Sequence, residues 1–430
     1  MILQTLKDAW AAVSIRKKII FTLLMLLVFR IGTHIPIPYI DTEYLVGQIG
    51  SGGIMDFFNT FSGGSLKRFS VFTLSIMPYI TASIIMQLLT VVIPHLERLQ
   101  KEGEQGRKKI AQYIRYATVV FGFVNGFGIT MGFRAAIVVP AGAPDWAVYL
   151  LITLVLTAGT AFLMWLGEQI TEKGIGNGIS LIIFAGIVAG VPDGIKEMLR
   201  LYMARSISIL MVIAVAVVAV AMVVAVVFIQ QGQRKIPVQY TKRVVGRKVY
   251  GGQSTHIPLK VNQAGVIPII FGIALVTLPT TIASWIPNSG FAVFANRYMS
   301  LSLNNSMASM GWILFYGVLI VFFTYFYTGI TFNPIDVADN IRKNGGFIPG
   351  LRPGRPTSEY LLRIMGRITM AGGVFLAIIA VFPSFIVGFT NIDGIYIGGT
   401  SLLILVSVAL DTMKQLEAQL LERHYQGFLK

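Results

Sequence analysis

The chain contains no cysteine. Disulfides, thiolate metal sites and cysteine nucleophiles are therefore excluded, and thiol usage says nothing about the redox compartment. Charge is scarce too: 13% of the 430 residues are charged, against 55% hydrophobic. The four histidines, His34, His95, His256 and His424, fall in different segments. No G-x-S-x-G, H-E-x-x-H or G-x-x-x-x-G-K-[ST] occurs. The spaced glycines of GIGNG at 174–178 lie between two apolar stretches and not after a strand, so they fail the dinucleotide-binding context and read as a tight turn. No catalytic group, cofactor or metal site is expected, and no nucleotide hydrolysis. Any energy for work must come from a partner or a gradient.

What is abundant is apolar sequence in runs of about 20 residues, the length that crosses a hydrocarbon core. The fold class expected is all-α: a polytopic membrane protein with ten spans, at roughly 19–38, 69–93, 116–138, 147–167, 178–192, 207–229, 265–285, 309–330, 368–387 and 394–411. Lys17 and Lys18 lead into a span that continues without an A-x-A site, so no cleavable signal peptide is evident. The net charge is +16, from 35 Lys and Arg against 19 Asp and Glu. Placing the N-terminus in the cytoplasm leaves most of the basic residues on that side, which orients both termini inward. Ten spans divide into two five-helix halves of inverted topology, 1–192 and 207–430, with 193–206 as an external hinge. Spans two and seven then correspond, and both are read as interrupted by proline, at Pro78 and at Pro268 with Pro279. Interrupted helices in matching positions point to a translocation site, although proline is common in membrane helices anyway.

The stretch Gly50–Pro94 has two parts. The first is short: Ile54, Met55, Asp56, Phe57, Phe58, Asn59, Thr60 and Phe61, between glycine-rich flanks. Eight residues of helix rise only about 12 Å, so this piece cannot span. It is either a re-entrant helix or a surface helix in an outer loop. The second part carries Ile76, Ile80 and Ile84 at i, i+4, i+8, on one face. That face packs against lipid and helices, or looks into a pore. Arg30 is an intramembrane charge, expected to snorkel, to pair within the bundle or to meet a substrate.

Two basic loops stand out. Residues 230–262 carry Arg234, Lys235, Lys242, Arg243, Arg247, Lys248 and Lys260 without an acid, and 238–240 and 244–250 have the composition of a hairpin. Residues 331–363 contain GGFIPGLRPGRP, whose prolines and glycines should hold Arg352 and Arg355 on a stiff turn. Retaining positive charge inside needs only a few such residues. Surfaces this extensive suit an acidic protein or ribosomal RNA. Two function classes remain: an ion-coupled secondary transporter of a small solute, and a passive conduit for something larger. Coupling needs ionisable groups at mid-membrane. Glu168, Asp336 and Asp411 lie at span ends or in loops, which favours the conduit.

Several longer stretches are more specific. VFRIGTHIPIP at 28–38, MDFFNTFSGGSL at 55–66, IMPYITASIIMQLLTVV at 76–92 and MWLGEQITEKGIGNGISLIIFAGIVAGVP at 164–192 come first. QSTHIPLKVNQAGVIP at 253–268, FNPIDVADNIRKNGGFIPGLRPG at 332–354 and GGTSLLILV at 398–406 follow in order. Together they strongly resemble the SecY family, the channel subunits of the bacterial protein translocon. The resemblance implies a plug at Ile54–Phe61 and a pore ring of Ile76, Ile80, Ile183, Ile270 and Ile404. It implies a lateral gate between spans two and three and spans seven and eight, with Gln87 and Asn262 near the seam. The basic loops would dock the SecA motor or the ribosome, with Arg352 linked to SecA-driven work. SecE and SecG subunits, signal sequences, nascent polypeptides and membrane lipid are the further partners implied, in a bacterial plasma membrane.

Overall fold

In lipid, each peptide N–H and C=O must find its partner within the protein, so apolar runs of this length become helices. The computed structural model describes residues 2–43, 45, 59, 61–140, 142–240, 243–245, 248–250, 254–286, 289–299, 309–390 and 399–428. Of the expected plug, only Asn59 and Phe61 are among them; Ile54, Met55, Asp56, Phe57, Phe58 and Thr60 lie outside the described residues, as do Lys242 and Arg247.

The fold is mostly helical, and a helix falls in each of the ten expected stretches. In chain order these are α2 (Val13–Gly32), α3 (Met77–Val92), α5 (Glu104–Gly132), α6 (Asp145–Lys173), α7 (Gly178–Met203), α8 (Ile209–Gln231), α9 (Ile267–Trp285), α11 (Met310–Thr331), α13 (Arg355–Thr390) and α14 (Gly399–Phe428). Shorter helices are α1 (Ile2–Ala11), α4 (Pro94–Lys101), α10 (Gly290–Tyr298) and α12 (Pro334–Lys343). Among the described residues six helices are long and apolar enough to cross a membrane, or seven if the pair α3 and α4, bent by 100°, forms one span. The chain is a multi-pass membrane protein.

Three of the differences from the expected boundaries bear on the site. The first helix stops at Gly32 instead of running to 38. Ile35 and Ile37 each precede a proline, which pushes them out of the helical region. The freed backbone pairs sideways: Ile37 N donates to Phe69 O at 3.0 Å and Val71 N to Ile35 O at 3.1 Å. The second span is helical only from Met77; Phe69–Ile76 is irregular. Pro78 and Pro268 do not interrupt helices. Each stands second in its helix, where its missing N–H would have no partner anyway. Finally, α7 continues through Pro192 to Met203, so the non-helical part of the expected 193–206 link is short.

The two basic loops form one folded unit, which the sequence reading did not anticipate. Strand β1 (Gln233–Tyr240) pairs antiparallel with β4 (Ser254–Lys260) on one side and with β5 (Gly346–Phe347) on the other. The expected strands are present but pair differently: 238–240 does not meet 244–250, and that segment turns back on itself, β2 (Arg243–Val245) pairing with β3 (Lys248–Tyr250). Ile236 and Val238 alternate with the exposed Lys235, Pro237 and Gln239 along β1 and are buried with Leu259, Ile341, Ile348 and Leu361. This small core is what a two-sided basic surface needs in order to hold a shape.

Candidate functional site

The largest buried cluster draws on both halves of the chain. Ile76, Ile80, Ile183 and Ile404 are buried in it, and Ile270 is half-buried against it. Ile76 caps α3 and Ile80 lies one turn in; Ile183 is on α7, Ile270 in the first turn of α9 and Ile404 on α14. The five isoleucines expected to line a pore therefore meet in one apolar body. Ile84, on the same face of α3, is half-buried beside them.

The wall next to this cluster is the irregular stretch 61–76. Backbone that is not helical is tolerated at membrane depth only when its polar groups are satisfied by protein. Here serines and threonines do that locally. Ser65 Oγ donates to Ser62 O at 2.7 Å, and Thr73 Oγ1 donates to Ser70 O at 2.6 Å. Gly64 N donates to Asn59 O at 2.8 Å, and the Asn59 side chain accepts from Lys67 N at 3.1 Å. Of two further bonds, the first ties the stretch to α2 and the second joins its two ends. Arg30 Nη1, from α2, donates to Gly63 O at 2.8 Å, and Ser75 Oγ donates to Phe61 O at 3.3 Å. The intramembrane arginine thus pairs within the bundle. Opposite lies Gly186 on α7, where a Cβ would stand 2.7 Å from Phe61 O. Arg30 was legible as an intramembrane charge; Ser75 and Gly186 carry no sequence signal that separates them from other small residues.

Helix α9 packs against both α3 and α5, forming a seam between the halves. Gln87 turns to Ser83 Oγ in its own helix at 3.5 Å, and Asn262 Nδ2 donates to Gly265 O at 3.0 Å. The two are not bonded to each other. Asn262 Oδ1 and Gln263 Oε1 are buried without a donor among the described residues. At the sheet, Arg234 and Lys235 project from β1 into solvent. Arg243 and Lys248 lie on β2 and β3, paired with Tyr250 and Val245 respectively. Arg352 is on the expected turn and exposed. Arg355 is not on that turn: it opens α13 and pairs with Glu359 at 3.0 Å, because Gly354, with φ of 104°, ends the turn before it. Among the described residues Arg234, Lys235 and Arg352 have no ion-pair partner, so their charge is available to a partner.

Comparison with known proteins bears on what this arrangement is for. The family model described as SecY matches residues 70–413. The protein translocase subunit SecY of Halalkalibacterium halodurans is 49% identical, over 99% of this chain and 100% of that protein. The chain belongs to the SecY family. Two solved structures share the fold of this SecY-family chain at lower identity. One is a SecY protein whose plug domain stabilises the closed state of the translocation channel, with a TM-score of 0.66 and 20% identity, covering 94% of this chain and 92% of the other. The second is Sec61 in a canine ribosome–channel complex, with a TM-score of 0.62 and 20% identity over the same shares.

Proposed function

We propose that this chain is the pore-forming subunit of a protein-conducting channel in the bacterial plasma membrane, with both termini cytoplasmic. The observation that carries the reading is the meeting of Ile76, Ile80, Ile183, Ile270 and Ile404, drawn from both halves, in one apolar body of a SecY-family chain. A ring of branched apolar side chains repels water and ions at its narrowest point and offers a sliding polypeptide no hydrogen bonds to stick to. Residues Ile54–Phe61 act as the plug, as the plug domain does in the related SecY structure. The two halves, 1–192 and 207–430, part along the seam of α9 with α3 and α5, near Gln87 and Asn262, and this is the lateral gate. A polar chain cannot leave through it, since each unsatisfied peptide group in lipid costs several kcal/mol. A signal sequence of about ten leucine-like residues gains roughly 3–6 kcal/mol in lipid, favours the open state and leaves sideways.

The channel has no catalytic group of its own. The exposed cations Arg234, Lys235 and Arg352, with Arg243 and Lys248 on β2 and β3, dock the SecA motor or the ribosome, and the complex includes SecE and SecG. Ribosome docking is supported by the likeness to Sec61 in its ribosome–channel complex.

Because the chain lacks cysteine, one introduced at Ile270 is unique. In vesicles with partner subunits and motor, a stalled secretory chain with one cysteine in its mature region should form a disulfide there, dependent on ATP and on the stall position. Failure at Ile270, Ile80 and Ile404 while the chain still reaches the lumen would mean that the path lies elsewhere.

A further inference from the structure

The isoleucines explain a seal only if something holds them at the right distance from one another. Four of the five expected ring positions lie within helices, whose own hydrogen bonds fix them. Ile76 does not. It is the N-cap of α3, with φ of −98° and ψ of 5°, and has no side-chain cap of its own. The residue before it, Ser75, sits at φ of 51°, a left-handed conformation that non-glycine residues rarely adopt. A strained residue persists only where its surroundings over-determine it, and such residues collect at functional sites.

What over-determines Ser75 can be followed atom by atom. Its backbone N–H donates to Phe72 O at 2.8 Å, and its hydroxyl donates to Phe61 O at 3.3 Å. Two residues on, Gly63 presents its carbonyl to Arg30 Nη1 at 2.8 Å. Phe61 and Gly63 are wedged against Gly186 of α7, whose missing Cβ leaves the room they occupy. The guanidinium thus draws on a carbonyl whose near neighbour tethers the residue that aims Ile76. A hydrogen bond from a charged donor is roughly twice as strong as one from a neutral donor. Gly63 is buried, so its carbonyl has little water to fall back on if the arginine is lost.

We propose that Arg30 and Ser75 are positioning residues of the pore constriction: through the carbonyls of Gly63 and Phe61 they set where Ile76 stands in the isoleucine cluster. This rests on the reading of Ile76 as part of the constriction. Neither residue touches the translocating chain. Their role is to keep the one ring position that lies outside a regular helix from drifting when no client is present.

The test uses the chain with its co-purifying subunits in liposomes loaded with a halide-sensitive dye, and reads resting anion entry in the absence of client. Ser75→Ala keeps the strained backbone position but loses the tether; Ser75→Gly relieves the strain and also loses the tether. Both should leak, and so should Arg30→Met, each by roughly tenfold, as expected for the loss of one buried hydrogen bond. Arg30→Lys, which still carries a charged donor, should recover most of the seal, which a purely structural role for the guanidinium would not require. A tight Ser75→Gly would overturn the tether, and a tight Arg30→Met would overturn the whole inference. If Arg30→Met does not accumulate, Arg30→Lys with the two Ser75 variants decides: three tight channels overturn it. Ile76→Gly separates the two levels. If it is tight, the constriction reading itself fails; if it leaks while the Arg30 and Ser75 variants do not, only the present inference fails.

Discussion

Pro78 and Pro268 occupy the same place in two different halves of the chain: each is the second residue of its helix, after an apolar cap in nearly the same backbone conformation. The caps are Ile76, at φ −98° and ψ 5°, and Val266, at φ −94° and ψ −7°. Ile80 and Ile270 follow at the same distance, and their N–H groups donate back to Ile76 O and Val266 O at 3.1 and 3.3 Å. The prolines therefore start the two helices whose first turns carry the expected constriction. They preset φ where the helix begins and break nothing.

This makes a testable distinction. If the prolines interrupted helices, replacing them with alanine would stabilise the protein by as much as about 3 kcal/mol. At a helix start the change should be under about 1 kcal/mol and unfavourable, because alanine only restores freedom to the unfolded chain. Pro78→Ala and Pro268→Ala should shift the thermal midpoint in detergent slightly downward, while Ile84→Pro, inside α3, should abolish folding.

Gly186 is the second point of leverage. A Cβ there would stand 2.7 Å from Phe61 O and 3.3 Å from Gly63 N, both backbone atoms that cannot swing away. Gly186→Ala should cost about 1–3 kcal/mol, the range for overfilled sites. Gly366, on α13, has no heavy atom within 4 Å of its missing Cβ. Gly366→Ala should be neutral or stabilising by up to about 1 kcal/mol, since glycine weakens a helix interior. Scanning fluorimetry of the two variants in parallel checks this, and equal shifts would contradict the wedge at Gly186.

The positions of the helices were legible because the apolar runs are long and because lipid leaves the backbone few alternatives. The isoleucines were legible as a face of α3 and as family positions. What could not be read was the stretch 61–76. Its course depends on hydrogen bonds from Arg30, Ser62, Ser65, Thr73 and Ser75 to carbonyls up to 33 residues away, and side-chain type alone does not announce such partners. The joining of the two basic loops was hidden for a similar reason. β5 is only two residues long, Gly346–Phe347, too short for any alternation of polar and apolar residues to register.

The turn after α6 shows how one hydroxyl can hold two elements. Thr22 Oγ1 on α2 accepts from Ile175 N at 3.0 Å and donates to Lys18 O at 2.9 Å. Ile175 is itself buried against Ala12, Ile15 and Leu416, so its N–H has no access to water. Thr22→Val keeps the shape and removes the acceptor, which should cost about 1–3 kcal/mol. Thr22→Ser keeps the hydroxyl and should cost less. Hydrogen exchange at the Ile175 amide reports the bond directly: it should quicken in Thr22→Val and stay slow in Thr22→Ser.

The sheet allows charge and shape to be separated at the proposed docking surface. Gly346 pairs with Tyr240, and a Cβ on Gly346 would lie 2.9 Å from the Tyr240 ring and 3.1 Å from Ile341. Gly346→Val should therefore part β5 from β1 and let the two basic loops move independently without removing any charge. Arg352→Ala does the reverse: it removes an exposed cation and leaves the strands paired. Both should weaken binding of the motor or the ribosome, by about tenfold if each removes one buried or charge-assisted contact. Their response to salt should differ. Raising ionic strength from about 0.01 to 1 M shortens the screening length from about 30 to 3 Å. The deficit of Arg352→Ala should then shrink toward zero, because the wild type loses the same attraction. The deficit of Gly346→Val should persist, because it comes from a surface that no longer holds one shape. Equal salt responses would mean that the two loops bind as independent patches of charge, and that the pairing of β1 with β5 is irrelevant to docking.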